Sequence, residues 1–154
     1  ELKLFNLEQP LQITYQTQKN SYIFDEQNYQ LLMSDRQPEQ YLKAFVIAYA
    51  KHYLPIYLQQ VSVETSLKFA ECSIRQPKTR WGSCTARHDI MLNSALVLVD
   101  QAITRYVCVH ELAHTQHFNH SSTFWSEVEK HDMNYKNHRK ILKSGVMPWW
   151  WLEK

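Results

Sequence analysis

Within VHELAHTQHFNH, residues 109–120, four histidines and one glutamate occupy twelve positions. Spacing makes this the most restrictive stretch of the chain. His110 and His114 are four residues apart, which on a helix places their Cβ atoms on one face, roughly 6 Å from each other. Two imidazoles so placed can meet on one Zn²⁺ ion at nitrogen–metal distances of about 2.0–2.1 Å. Glu111 follows the first and can reach the open side of such an ion without binding it. Three protein ligands leave a fourth position free for water, and His120 is the best third ligand. A continuous helix cannot supply it, because six residues advance about 9 Å and turn through roughly 600°. The helix must therefore end after His114 and the chain must return. Asn119 suits the turn, since asparagine tolerates left-handed backbone, and Ser121 or Ser122 can cap the helix that follows. His117 competes as third ligand, yet on a straight helix it lies about 7.5 Å beyond the midpoint of the pair. A distant carboxylate or histidine is the remaining option. The plain alternative keeps all four imidazoles as surface groups or hydrogen-bonded core residues; His88, His131 and His138 read as structural or solvent-facing.

One domain is expected for 154 residues, of which 44% are apolar, with nine Tyr, six Phe and five Trp. That content supports a core and argues against disorder. A formal charge of +2 points to neither a nucleic-acid binder nor a trap for acidic substrates. The basic run KNHRKILK, residues 136–143, reads as a solvated helix face, with a ligand- or phosphate-binding patch as the alternative. Cys72, Cys84 and Cys108 form no metal-type pair and no even-numbered framework, so free thiols in a reducing, cytoplasmic setting are expected. No signal peptide is apparent, and the most apolar run, ALVLV at 95–99, is too short to cross a bilayer.

Alternation in LQITY (11–15) and SYIF (21–24) predicts a hairpin about QTQKN. Pro38 fits the first turn of a helix continuing through YLKAFVIAYAKHYL, with Pro55 near its end or at a kink. VSVETSLKFAECSIR, residues 61–75, offers one or two strands. KTRWGSC (78–84) is expected to run extended to Gly82 and then turn, and DIMLN (89–93) to pair with it antiparallel, placing Ile90 and Leu92 on one face. Asp100 is placed to accept N–H bonds at the head of the histidine helix. The expected architecture is a single α+β domain over 1–154, a small antiparallel sheet packed against helices that include the HExxH helix. No glycine-rich dinucleotide fingerprint is present.

HExxHxxxxxH is the ligand spacing of the metzincin peptidases, but His117 stands where they carry glycine, and Met147 comes late for their methionine turn. A closer likeness comes from TRWGSC (79–84), DIMLN (89–93), YVCVHELAH (106–114) and NHSSTFW (119–125) taken in order. Together they resemble the YgjP-like metal-dependent hydrolases, themselves similar to the zincin peptidases of the SprT and WLM type. The resemblance is strongest over 72–143. The N-terminal region matches poorly, and Thr123 replaces a frequent proline. It implies a zincin-like fold, with His110, His114 and His120 as metal ligands and Glu111 as the catalytic carboxylate.

The expectation is thus a Zn²⁺-dependent hydrolase, metallopeptidase-like, with Glu111 as general base. A nucleoside-triphosphate pyrophosphatase using the same centre is one alternative, with Arg80 and Lys78 clamping phosphates. A noncatalytic, metal-stabilised interaction domain is another. The substrate is accordingly a peptide or a nucleotide. Arg80, Trp81 and Gly82 are tentative substrate-binding residues: Gly82 permits close approach, Trp81 packs or touches substrate, and Arg80 is a surface group or binds carboxylate or phosphate. Cys84 and Cys108 are expected to be noncatalytic. The terminal PWWWLE segment packs over the domain or binds a partner.

Overall fold

The computed structural model describes residues 1–145 and Trp151. Chain order is β1 (Gln12–Gln16), β2 (Tyr22–Asp25), β3 (Gln30–Ser34), α1 (Pro38–Thr65), β4 (Cys72–Arg75), β5 (Gly82–Cys84), β6 (Ile90–Asn93), a 3-10 segment Ser94–Leu98, α2 (Gln101–Ala113), α3 (Ser122–His131) and α4 (Tyr135–Lys143). This is the α+β architecture that the sequence implies, but the sheets differ from the expectation. Two three-stranded mixed sheets, ordered β1-β3-β2 and β4-β6-β5, replace a single antiparallel one. In each, the central strand pairs antiparallel with one neighbour and parallel with the other. Alternation marks a strand without naming its partner. The expected β1–β2 hairpin is therefore a β2–β3 hairpin, and β1 lies on the far side of β3. Leu31 and Met33 of β3 and Leu92 of β6 are fully buried, as central strands require.

Helix α1 runs through Pro55 to Thr65 rather than ending there. Its buried residues, Leu42, Phe45, Val46, Tyr49, Ala50, Leu54, Leu58 and Val61, keep the 3.6-residue period on both sides of the proline. Proline inside a helix costs about 3 kcal/mol. Burying Leu58 and Val61 beyond it returns roughly 1.5–3 kcal/mol each, so the helix continues. Residues 61–65, expected as strand, are its last turn; Ser66 then ends it in the left-handed region (φ 62°).

The turn expected at Gly82 comes after β5 instead. His88 N–H donates to Thr85 O (2.9 Å), with His88 itself at φ 69°, and β5 pairs antiparallel with β6 as expected. Asp100 does occupy the N-cap of α2, but its side chain makes no capping bond and faces Lys3 at 3.3 Å. Trp151 is buried, its carbonyl accepting from Lys43 Nζ at 3.0 Å; the rest of PWWWLE, and Met147, lie outside the described residues. No helix among the described residues is long and apolar enough to cross a membrane.

Candidate metal centre

Helix α2 buries Val107, Cys108, Val109, Leu112 and Ala113 against the domain, which fixes its rotation and turns His110 and His114 toward α3. The helix ends where the metal reading requires. Thr115 Oγ1 and N–H both donate to Leu112 O, at 2.6 and 3.0 Å, satisfying a last-turn carbonyl. His117 N–H reaches back to Ala113 O at 3.0 Å. Asn119 does not take the left-handed conformation expected of it: among the described non-glycine residues only Tyr29, Ser66 and His88 have positive φ. The return is made by hydrogen bonding, with Ser121 N–H donating to Asn119 O at 2.8 Å. Ser121 then caps α3 by accepting from Phe124 N–H at 3.3 Å, so Thr123 costs the cap nothing.

His120 is thereby brought back to the pair. Its Nε2 lies 3.1 Å from His114 Nε2 and 3.3 Å from His110 Nε2. Among the described residues this is the one histidine, cysteine or carboxylate group of three with metal-ligating geometry. His117 is not part of it; its carbonyl oxygen accepts from His114 Nδ1 at 3.1 Å. A carbonyl only accepts, so His114 carries its proton on Nδ1 and presents a lone pair from Nε2. The Tyr106 hydroxyl, able to donate or to accept, lies 3.3 Å from His110 Nδ1. Burial, then the neighbouring His114, His120 and Arg139, hold His110 down to a pKa of about 3; burial also lowers His114. Both are neutral at pH 7. Lone pairs converging within 3.3 Å repel unless a metal cation or a shared proton lies between them. A tetrahedral ion with bonds of about 2.0–2.1 Å separates its nitrogens by about 3.3–3.4 Å, close to the observed spacing. The donor set fits Zn²⁺.

Helix α3 supplies the backing for these rings, which the sequence did not single out residue by residue. Phe124, fully buried, stacks on His114 with centroids 4.3 Å apart and 26° between planes. Trp125 lies parallel to His120 at 5.7 Å and to Tyr135 at 5.4 Å.

Glu111 is only 6% exposed, and burial pushes its carboxyl up to about 8 against a smaller opposing pull from Arg80. A Cβ built on Gly82 would stand 3.1 Å from both Glu111 Cγ and Oε2, so the glycine makes room for the carboxylate. An open cleft of about 370 Å³ fronts His110 and Glu111. It is lined by Thr79, Trp81 and Gly82, by Tyr106 and Val107 of α2, and by Arg139, Leu142 and Lys143 of α4. Of the tentative substrate residues, Trp81 and Gly82 line the cleft. Arg80 does not; it is exposed, and its carbonyl accepts from Asn93 Nδ2 at 3.0 Å. Asn93 also donates to Pro77 O at 3.0 Å, accepts from Ala95 N–H at 2.9 Å, and is fully buried. It pins residues 77–80 ahead of the cleft wall, a role that only its flanking turn residues could have suggested. The basic run 136–143, expected mainly as solvated surface, contributes three cleft residues, Arg139, Leu142 and Lys143. All three cysteines are free, and burial raises Cys72 and Cys84 to about 11 and Cys108 further, leaving protonated, poorly nucleophilic thiols.

A family model described as YgjP-like, metallopeptidase domain, matches residues 1–145, so the likeness reaches the N-terminal region that the motifs left poorly matched. Among solved structures, the metallopeptidase zymogen abylysin of Pyrococcus abyssi is similar with a TM-score of 0.51 and 24% identity, over 58% of this chain and 90% of that one. At this identity the likeness is one of fold. No curated protein matches the chain.

Proposed function

The chain belongs to the YgjP-like metallopeptidase domain family, and from that premise we propose that it is a zinc-dependent peptidase in which Glu111 is the general base. One observation carries the reading: His120 Nε2 lies 3.1 and 3.3 Å from the Nε2 atoms of His114 and His110, beside a buried carboxylate that opens on a cleft. When bound by His110, His114 and His120, the ion would supply Lewis acidity, acidifying an adjacent water and polarising the scissile carbonyl. Glu111 takes the proton from the attacking water and returns it to the leaving amine. Its carboxyl, raised toward neutral pH by burial, is suited to both transfers. Gly82 lets the carboxylate reach this position. Strand β5 is the edge of its sheet, so a substrate in extended form can add along it beside Trp81. Phe124 and Trp125 hold the imidazoles so that no ring rotation is needed at the moment of reaction. The three free thiols accord with a cytoplasmic, reducing setting.

Glu111→Gln tests the assignment. The variant keeps zinc at one equivalent by metal analysis and loses roughly 10²–10⁴-fold in peptide hydrolysis. Equal turnover by both proteins would remove Glu111 from the mechanism. Pyrophosphate release from nucleoside triphosphates, assayed alongside, decides against the peptidase reading if it proves the faster Glu111-dependent reaction.

A further inference from the structure

The part of the cleft lining that α4 supplies is cationic. Helix α4 carries four Lys or Arg between Lys136 and Lys143 and no acidic residue. Arg139 and Lys143, four residues apart, fall on one face of it and both line the cleft, with Leu142 between them. Arg139 is held by its guanidinium stacking over Trp125, 4.9 Å from the ring centroid, and Trp125 in turn backs His120. Among the described residues neither cation is ion-paired. Two acids that precede α4 are engaged elsewhere: Asp132 lies 2.7 Å from His138 Nδ1, and Glu127 faces His131 and Lys130 at 2.9 and 3.9 Å. Glu111, the one carboxylate lining the cleft, belongs to the centre itself. Two unpaired cations beside an apolar lining of Trp81, Val107 and Leu142 match a single anionic group on a partly apolar chain. A polyphosphate fits less well, since the cleft has no glycine-rich loop of backbone N–H groups.

We propose that α4 forms an anion subsite in which Arg139 and Lys143 hold a carboxylate of the peptide substrate, an acidic side chain or the free C-terminus. This rests on the peptidase reading above and adds its specificity. Charge-assisted hydrogen bonds of this kind discriminate against the neutral amide by roughly 10- to 100-fold.

Two peptide series test it with the zinc-loaded protein: Glu against Gln on either side of the scissile bond, and free C-terminal acid against C-terminal amide. The same peptides, fluorescently labelled, are titrated against Glu111→Gln by anisotropy, with inorganic tripolyphosphate as competitor. The expected result is a kcat/KM and affinity preference of roughly 10- to 100-fold for the carboxylate in one series, which identifies its source. The preference falls to near unity in Arg139→Gln/Lys143→Gln and is partly kept in Arg139→Lys. Cleavage with no charge preference, or a preference surviving the double substitution, overturns the subsite and leaves the peptidase reading standing. Selective binding of acidic peptides that depends on Arg139 and Lys143, without cleavage of any, supports the subsite and sinks the hydrolytic reading instead. Neither binding nor cleavage of peptides overturns both, whereas displacement of the acidic peptide by lower concentrations of tripolyphosphate overturns the carboxylate subsite alone.

Discussion

Replacing Gly82 by alanine adds a single methyl group where the structure has almost no room for one. The new Cβ would lie 3.0 Å from Met91 O and 3.1 Å from Glu111 Cγ and Oε2. Ordinary carbon–oxygen contact is about 3.5 Å, so the shortfall is close to half an ångström against each neighbour. Met91 cannot give way easily, because β6 is paired on both sides, to β4 and to β5. Glu111 must move instead, away from β5. Overpacking of this size costs about 1–3 kcal/mol of stability. Displacing a reacting group by up to an ångström costs on the order of 100-fold in turnover. Guanidinium denaturation measures the first, kcat on any cleaved peptide the second, and zinc analysis confirms that the histidines still bind. A double-mutant cycle isolates the cause. In a Glu111→Ala background two of the three close contacts vanish, so Gly82→Ala should cost less there, with a coupling of about 1 kcal/mol or more. Additive stability changes, or full activity in Gly82→Ala, would refute the claim that this glycine exists to seat the carboxylate.

Tyr106→Phe removes the hydroxyl beside His110 Nδ1 and is expected to weaken zinc binding by about 10- to 100-fold with the fold intact, as chelator competition would show. Asn93→Ala deletes a buried amide making three hydrogen bonds, one buried and two part-buried, and should cost about 2–4 kcal/mol in chemical denaturation. The metal-free protein should be most stable near pH 6.5, the unfolded-state value of His110 and His114. Glu111, raised from 4.5 to about 8 on folding, withdraws stability as pH climbs between those values, whereas His110, lowered to about 3, and His114, also lowered, withdraw it as pH falls below 6.5, where two imidazoles outweigh one carboxyl. Melting temperatures across pH 4–8 check this, and a flat profile contradicts it. Zinc binds the neutral imidazoles, so its stabilising effect should grow from pH 5 to pH 7.

Local spacing makes much of the centre legible in the sequence. His110 and His114 at one helical turn, Glu111 beside them, the need for a break before His120 and a serine cap after it all follow from helix geometry acting within a dozen residues. Strand β6 and its antiparallel hairpin with β5 are legible for the same short-range reason, as is the start of α1 at Pro38. Tertiary packing alone decided what depends on partners far along the chain. Pro55 stays inside α1 because Leu58 and Val61 have a core to enter. The strands take mixed rather than antiparallel order because alternation assigns a face and not a neighbour. Gly82 proves to be the space in which Glu111 fits, and a basic run expected mainly as surface becomes part of the cleft lining. These outcomes arise from contacts across the fold, and the periodicity of a single segment carries no record of what will lie against it.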